Sequence, residues 1–446
     1  MLVSDVVDRS GIGRLQRTIL VVFGLAFIAD GFDAQALAYV APLLAGDLGL
    51  ERYELGPLFT ASLIGLAVGG FVLSYLSDRI GRKSVFCFSM FLFGICTIAK
   101  GFASGRSELM SYQFIAGLGI GGAPPAALAL MSEYMPTQNR SRAITTVAMG
   151  YLVGATLGGI VAASVLHAIG WAAVFFIGGA FAIAVGLSAM VWVPESARFL
   201  LSRPGAAPGR RIVTVMARLD PALSDLKGKD FSCLDEDRGD RSLSALFRDG
   251  RAGYTVILWT VVFLIGCVNY ILFSWLAVLF QQSGVGLSQS ILAATAFPLG
   301  SLLSSLWLSG RLKGSRAALL LAAFVAAYAA ALVGIGHLTS SFPLLVVAVF
   351  IAGVGSGPQG VTHAINAAVY PTPIRSTGIG WSSSVGRLGG ALGPLLGGGM
   401  VALGWTTTQI LDASAVPLLG VIAALLASRR SRGTRELMDR SLQPGA

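Results

Sequence analysis

The chain has 446 residues, of which 54% are hydrophobic and 12% are charged, and its mean hydropathy is +0.75. Because soluble domains carry about 25% charged residues, this composition excludes an ordinary soluble protein. The net charge of +10 raises the question of a nucleic-acid partner. However, the cations lie in short segments between long apolar runs, so we expect no nucleic-acid partner.

Long apolar runs recur along the whole sequence, and a helix of roughly 20 such residues crosses a bilayer. Helices are expected because lipid offers no partner for unpaired backbone groups. The sequence therefore predicts an all-α membrane protein with twelve transmembrane helices. The predicted spans are 18–44, 56–76, 84–103, 108–132, 143–168, 171–193, 254–280, 287–308, 317–338, 342–369, 376–403 and 406–427.

The distribution of basic residues predicts the orientation of these spans. With the amino terminus in the cytoplasm, the segments on that side hold nearly all Lys and Arg, and only Arg52, Lys100 and Arg106 fall outside. This is the positive-inside pattern, so both termini are predicted to be cytoplasmic. The first apolar run contains two acids and has no small-residue cleavage site, so we expect it to remain as the first helix.

A repeat at half length divides the chain. Residues 136–141 read PTQNRS and residues 371–376 read PTPIRS, the same PTxxRS pattern 235 residues later. Two parallel halves are an architecture of transporters, in which the substrate site lies between the halves and their rocking gives alternating access. The sequence predicts two pseudo-symmetric six-helix bundles at 1–194 and 251–428, a cytoplasmic linker at 195–250 and a basic tail at 429–446.

Two acids lie within the first predicted span, where ionisable residues are costly and usually functional. Asp30 and Asp33 are three residues apart, which places both carboxylates on one helix face. From Arg17, Asp30 is about 20 Å along the helix, near the middle of the bilayer. We predict that this pair takes up and releases the coupling protons, and the alternative is a structural partner for an arginine.

A single arginine lies deep in a predicted span. Arg387 is about 18 Å along the eleventh span from Arg375, at the depth of the aspartates. A guanidinium stays charged and holds a carboxylate through two hydrogen bonds. We predict that Arg387 binds an anionic substrate, and it could also neutralise Asp30 or Asp33.

Further polar residues are assigned to substrate contact or to gating. Charged residues at the cytoplasmic helix ends combine acids with cations, which predicts a latch that closes the inner side. The alternative is a solvated basic loop that only sets the membrane orientation, which would explain the cations but not the acids. Deep polar and aromatic side chains are candidate substrate contacts, although each is also explained by helix packing. The predicted gating residues are Asp78, Arg79, Gly81, Arg82, Glu133, Arg140 and Arg375. The predicted substrate contacts besides Arg387 are Gln113, Asn269, Tyr270, Gln359, His363 and Trp381.

Two familiar site patterns are interpreted otherwise. Gly117, Gly119 and Gly122 fit GxGxxG, but they lie inside a predicted span with no preceding strand, so close helix packing is the expected role. The sequence has no HExxH and no cluster of His, Cys and acids with metal-ligand spacing. We therefore expect no metal, no cofactor and no enzymatic activity.

Taken together, these residues resemble the major facilitator superfamily. The turn Tyr75-Leu-Ser-Asp78-Arg79-Ile-Gly81-Arg82-Lys83 is similar to the superfamily's loop signature, and the match covers the whole chain. Asp30-Gly-Phe-Asp33 together with Gly386-Arg387 is similar to the aromatic acid:proton symporter family. In that family the fourth span commonly carries an arginine, where this chain has Gln113.

The resemblance implies proton-driven uptake of a small aromatic carboxylate across a bacterial inner membrane, by a protein expected to be a monomer. It also implies functional roles for Asp30, Asp33, Asp78, Arg375 and Arg387. Within transport, the alternative is a proton symporter for a non-aromatic organic anion or a sugar-type solute. Outside transport, the alternatives are a non-transporting membrane receptor and a membrane enzyme.

Overall fold

The protein is helical in every regular element that the computed structural model describes. The described residues are 2–202, 206–219, 223, 231–232, 243–248, 251–308, 317–357, 370 and 372–430. The helices are α1 Val3–Ser10, α2 Arg14–Asp47, α3 Leu55–Ile80, α4 Arg82–Lys100, α5 Arg106–Tyr134, α6 Thr137–Ile169, α7 Ala172–Trp192, α8 Ala197–Ser202, α9 Ala206–Ala217, α10 Ala252–Gln282, α11 Leu287–Leu308, α12 Ala317–His337, α13 Phe342–Ser356, α14 Thr372–Ala402 and α15 Thr407–Arg430. Short 3-10 turns occupy Arg52–Glu54 and Leu243–Phe247.

Ten stretches of the described chain are long and apolar enough to cross a membrane, and each coincides with a predicted span. The other two predicted spans correspond to α13 and α14. The apolar helix α13 has 15 described residues, and the rest of the span predicted at 342–369 lies outside the described residues. Helix α14 has 31 residues, so its length is sufficient to span. The predicted all-helical architecture is confirmed.

The helices form two compact units. The first unit comprises residues 1–34, 61–154 and 169–236, and the second comprises 35–60, 155–168 and 237–446. These units do not follow the two halves of the sequence, because the ends of α2, α3 and α6 belong to the second unit. The assignment of one six-helix bundle to each half of the chain stays a prediction.

The half-length repeat is visible in the packing of each unit. In the first, a Cβ on Gly154 would lie 1.9 Å from the carbonyl oxygen of Ile28, and a Cβ on Gly31 would lie 1.8 Å from that of Tyr151. In the second, Gly389 approaches Phe263, and Gly266 approaches Gly386, in the same way. Every residue in these second contacts is numbered 235 higher than its counterpart. The α2–α6 crossing and the α10–α14 crossing are therefore the same backbone contact, used twice.

The glycines of the GxGxxG pattern serve helix packing, as predicted. A Cβ on Gly117 would lie 2.2 Å from the carbonyl oxygen of Ser62 on α3, and one on Gly119 would lie 2.7 Å from the backbone nitrogen of Phe93 on α4. Because no side chain fits at either place, α5 lies in direct backbone contact with both neighbours. This crossing fixes α5 against both α3 and α4.

Candidate functional site

Asp33 is held inside the first unit by two polar side chains of α4. The Lys100 ammonium donates to Asp33 Oδ1 at 2.7 Å, and the Thr97 hydroxyl donates to the same oxygen at 3.1 Å. Asp33 is 5% exposed and Lys100 is fully buried. The ammonium also lies 5.3 Å from the centroid of the Phe175 ring on α7. Asp33 is therefore a desolvated carboxylate with one positive partner.

The Lys100 side chain is buried, although the charge pattern counts Lys100 only among the cations of the outer side. As the last residue of α4 it lies near the membrane boundary, but the side chain turns back along the helix towards Asp33, in the usual direction for helical side chains. Asp30, one turn earlier on α2, is half-buried. Of the two predicted coupling acids, Asp33 is thus the more deeply buried, and Lys100 is its partner.

Arg387 has the opposite environment. Its side chain is exposed, and it makes no ion pair with any residue that the structure describes. The small residues Gly389 and Gly390 on the same helix face α10, where they contact Phe263 and Tyr270. The guanidinium is therefore available to a ligand, and the partner of Asp33 in this structure is Lys100.

The face of α14 that carries Arg387 closes against the first half of the chain one turn further along. Arg387, Ala391 and Pro394 share this face by their spacing. The Thr60 hydroxyl donates to the Ala391 carbonyl at 3.2 Å, and the Trp275 indole donates to the Pro394 carbonyl at 3.1 Å. Arg387 therefore lies directly beside a closed contact of the second unit.

We call this contact the outer seam, since it lies at the helix ends that are predicted to face outside. Besides the bonds of Thr60 and Trp275, the Tyr39 hydroxyl donates to the Ala155 carbonyl at 3.2 Å. A Cβ on Gly159 would lie 1.9 Å from the Thr295 hydroxyl oxygen. The seam itself is formed by Thr60 with Ala391 and by Gly159 with Thr295. The Tyr39–Ala155 and Trp275–Pro394 hydrogen bonds lie beside it and join helices that already pack tightly together.

The other predicted substrate contacts are dispersed. Gln113 is 3% exposed, and its Oε1 has no hydrogen-bond partner among the described residues. Asn269 accepts a hydrogen bond of 2.8 Å from the Tyr328 hydroxyl, which explains it as a packing contact. Tyr270 packs on Gly390, and the 43%-exposed Trp381 stacks on Trp259 with centroids 6.0 Å apart. Gln359 and His363 lie outside the described residues.

A second charged group, the inner cluster, lies at the other end of the first unit. It comprises Arg82, Glu133, Glu195 and Ser196. Arg82 forms an ion pair with Glu133, and the Ser196 hydroxyl lies 2.8 Å and 2.9 Å from the two Glu133 oxygens. These contacts join the start of α4, the end of α5 and the segment before α8, all within the first half of the chain.

Glu195 completes the inner cluster by capping α4. Its Oε1 accepts a hydrogen bond of 2.9 Å from the Lys83 backbone N–H, and its Oε2 lies 3.4 Å from the Ser84 hydroxyl. A carboxylate at a helix amino terminus satisfies backbone donors and the positive end of the helix dipole. Gly81 turns the chain here with φ +106°, and a Cβ at this position would lie 2.5 Å from the Glu195 carboxylate.

Of the remaining predicted gating residues, Asp78 contacts this cluster through Arg82. Asp78 lies 3.6 Å from Arg82, with its side chain 74% exposed. Arg79 lies over the Tyr75 ring, 4.5 Å from the centroid. The Arg140 Nε is buried with no hydrogen-bond partner among the described residues. Arg375 lies in α14, but its side chain is outside the described set, and the gating role of all these residues stays a prediction.

Sequence reasoning missed Lys100, Thr97 and Glu195 as members of charged sites. Lys100 follows an apolar run and precedes a polar loop, so its position alone favours a snorkelling side chain. Its spacing from Thr97 was the available signal, because residues three apart share a helix face. Among the described residues, no group of three or more His, Cys, Asp or Glu side chains is placed to hold a metal ion.

The chain matches the model of the Major Facilitator Superfamily over residues 23–357 and 285–441. It is 33% identical over 439 residues to a 4-hydroxybenzoate transporter, PcaK, of Pseudomonas putida, with 96% of each chain covered. It is 31% identical over 426 residues to the 3-(3-hydroxy-phenyl)propionate transporter of Escherichia coli K12, covering 95% of this chain and 96% of that protein. A gallate transporter of Pseudomonas putida is 31% identical over 436 residues, with 96% and 95% covered.

Solved structures show the same fold. A D-xylose-proton symporter has a TM-score of 0.72 at 16% identity, covering 92% of this chain and 96% of that chain. A bacterial homolog of the human lysosomal transporter Spinster has a TM-score of 0.70 at 18% identity, covering 98% and 100%. At these identities the likeness concerns the fold alone.

Proposed function

This chain belongs to the major facilitator superfamily, and we propose that it carries small aromatic carboxylates into the cell together with protons. Relatives named for 4-hydroxybenzoate, gallate and 3-(3-hydroxy-phenyl)propionate match it over nearly their whole length. Each of these compounds is a carboxylate on a phenyl framework. We therefore propose that the site recognises an aromatic ring and one negative charge.

The observation that carries the proposal is the exposed guanidinium of Arg387, which has no ion-pair partner among the described residues. Ionisable residues inside membrane spans are rare, and they usually face a water-filled cavity and mark a substrate or ion path. An exposed cation of this kind, without a counter-charge among the described residues, is explained when a ligand supplies the charge. A carboxylate fits because guanidinium binds it through two parallel hydrogen bonds.

The outer seam supports a site that opens to one side at a time. Arg387 lies one turn, about 6 Å, from Ala391 along α14, so a substrate bound there is separated from the outer side by the Thr60 contact. Separation of the seam would expose the same helix face to the outside. This is the behaviour expected of alternating access around a fixed site.

The proton is assigned to the α2 carboxylates, and Asp33 is the principal candidate. A carboxylate that takes up a proton when the site faces outside and releases it inside biases the cycle by changing the populations of its states. One proton entering with one monocarboxylate adds no net charge to the closed site. A site that gains no net charge on loading closes without the added cost of burying an uncompensated charge.

The same proposal includes location and assembly. Basic residues at the helix ends on one side support cytoplasmic termini in a bacterial inner membrane, with the protein acting as a monomer. Fusing a reporter that fluoresces only in the cytoplasm to either end checks the orientation. A dark fusion at either end would contradict it.

Uptake by the purified protein in liposomes tests the function. We expect radiolabelled 4-hydroxybenzoate to accumulate when the outside is more acidic than the inside, and a protonophore to abolish the accumulation. Empty liposomes control for passive entry of the protonated acid. The neutral analogue 4-hydroxybenzyl alcohol should not accumulate.

A substrate panel separates the alternatives. Gallate and 3-(3-hydroxyphenyl)propionate should compete with 4-hydroxybenzoate, whereas succinate and xylose should not. If succinate or xylose accumulates and the aromatic acids do not, the aromatic assignment is wrong. If no compound is moved and binding alone is observed, a receptor is the better explanation.

A further inference from the structure

The Asp33–Lys100 pair is unusual because both members are desolvated. Lys100 is fully buried and Asp33 is 5% exposed, at a Nζ–Oδ1 distance of 2.7 Å. A lysine at the end of a membrane helix normally extends its ammonium to the interface. Here the side chain turns inward instead, so the ion pair lies in the interior of the helix bundle.

Stability alone does not account for such a pair. Removing two charges from water costs several kcal/mol per ion, and well-packed apolar residues of similar volume are often as stable or more so. The surroundings on α4 and α7 are otherwise apolar or neutral: Thr97 bonds the carboxylate, and Phe175 lies beside the ammonium. An apolar replacement would fit this environment, so a role beyond packing is needed.

Few other ionisable groups face the pair. On α2, Asp30 lies one turn away and is half-buried. On α4, the thiol of Cys96 lies within electrostatic reach of Lys100. On α6, Tyr151 contributes its backbone to the contact with Gly31, next to this part of α2. Among the described residues, Lys100 is therefore the one cation that balances Asp33.

We propose that Lys100 is the coupling counter-ion of Asp33, which it holds in the ionised form until a proton arrives from the outside. The inference rests on the proposed function. The incoming proton binds a carboxylate oxygen of Asp33, the Lys100–Asp33 ion pair breaks, and Lys100 keeps its own proton throughout. The net charge of the pair rises from zero to +1. That gain offsets the negative charge of one carboxylate substrate, so the loaded site keeps the net charge of the empty site, and the proposal implies one proton per monocarboxylate.

The location of the pair agrees with this direction. Lys100 ends α4 on the side that is predicted to face outside, and Asp33 is about 24 Å along α2 from Arg17. The pair is thus nearer to the outer boundary than to the inner cluster.

The decisive variants are Lys100→Met, Asp33→Asn and the double variant, each compared with Asp412→Asn, a span acid outside the pair. Two measurements are made with 4-hydroxybenzoate: accumulation driven by a pH gradient, and counterflow exchange, which needs no gradient. The double variant leaves no unpaired charge. We expect it to keep counterflow while accumulation falls at least tenfold, with Asp412→Asn behaving as wild type. Wild-type accumulation by the double variant would overturn the inference.

A measurement on the wild-type protein tests the proton stoichiometry even if the variants fail to fold. With one proton per monocarboxylate, transport is electroneutral, so clamping the membrane potential with potassium and valinomycin should leave the accumulated amount unchanged. Accumulation that follows the potential would overturn the stoichiometry. If the wild type accumulates no aromatic acid at all, the proposed function fails. If it accumulates one and the double variant does so equally, only the role of Lys100 fails.

Discussion

Lys100 and Arg387 are two cations in membrane helices whose surroundings are opposite. Lys100 is fully buried against Asp33 and beside Phe175. Arg387 is exposed and has no ion-pair partner among the described residues. The same charge thus occurs once with a counter-charge from the protein and once without one. The difference separates a charge that the protein balances by itself from a charge that, in the proposed function, binds the substrate carboxylate.

This contrast predicts that the two cations fail in different ways when they are removed. Breaking a buried ion pair costs about 3–5 kcal/mol because one charge stays behind in a dry site. Removing an exposed cation costs little stability, typically within about 0.5 kcal/mol.

The largest effect is expected on the free energy of unfolding. Lys100→Met should lower it by about 3–5 kcal/mol, because Asp33 then stays buried without its partner. Arg387→Met, the matched variant, should change it by no more than about 0.5 kcal/mol. Unfolding of the purified protein by titration with a denaturing detergent measures both. Equal losses in the two variants would remove the distinction.

Transport activity, unlike stability, should depend strongly on Arg387. We expect Arg387→Ala to lower kcat/KM for 4-hydroxybenzoate about 100-fold, which is about 2.7 kcal/mol, because the carboxylate loses its bidentate partner. Leu388→Ala changes the exposed neighbour, 62% accessible, and should leave kcat/KM within about twofold. Initial rates of uptake by liposomes give these values. An unchanged rate in Arg387→Ala would refute the anion-binding role.

Thiol chemistry measures the exposure directly. In a background where the four native cysteines are serine, Arg387→Cys should react with a water-soluble thiosulfonate at least about tenfold faster than Lys100→Cys, since only an exposed thiolate reacts readily. Quenched time courses followed by mass spectrometry provide the rates. Comparable rates at the two positions would show that Arg387 is closed to water.

The smallest effect concerns the outer seam beside Arg387. Thr60→Val removes the hydrogen bond to the Ala391 carbonyl, a contribution of about 1 kcal/mol, so the ratio of closed to open seam should fall about fivefold. Thr60→Ser keeps the hydroxyl and is the matched control. Labelling of Ala391→Cys from the outside reports the open fraction. No increase over the control would mean that Thr60 does not hold the seam closed.

Much of the fold follows from the sequence, because hydrophobic length and glycine position act locally. Apolar runs gave the spans, and the PTxxRS repeat at an offset of 235 residues reappears in the backbone contacts of Gly154 with Ile28 and of Gly389 with Phe263. The compact units were not predictable in the same way. The boundaries of the units depend on which helix ends are in contact in the present conformation. The amino-acid sequence does not show which conformation is populated.

The sites were predictable only in part. Asp33 and Arg387 stood out because charges are rare in apolar runs. Lys100 did not stand out, because a lysine at a helix end can either point into water or turn inward. Only packing against α7 decides between these two orientations. The same limit applies to Glu133, because its ion-pair partner Arg82 lies 51 residues away in the sequence.

The two glycine contacts between α2 and α6 have a mechanical consequence. Gly31 meets the backbone of Tyr151, and Gly154 meets that of Ile28, so no side chain lies between the helices that could rotate to absorb a shift. Helix α2, which carries Asp33, and helix α6 must then move together as one rigid body. Spin labels placed on these two helices near the crossing should keep a constant separation throughout turnover.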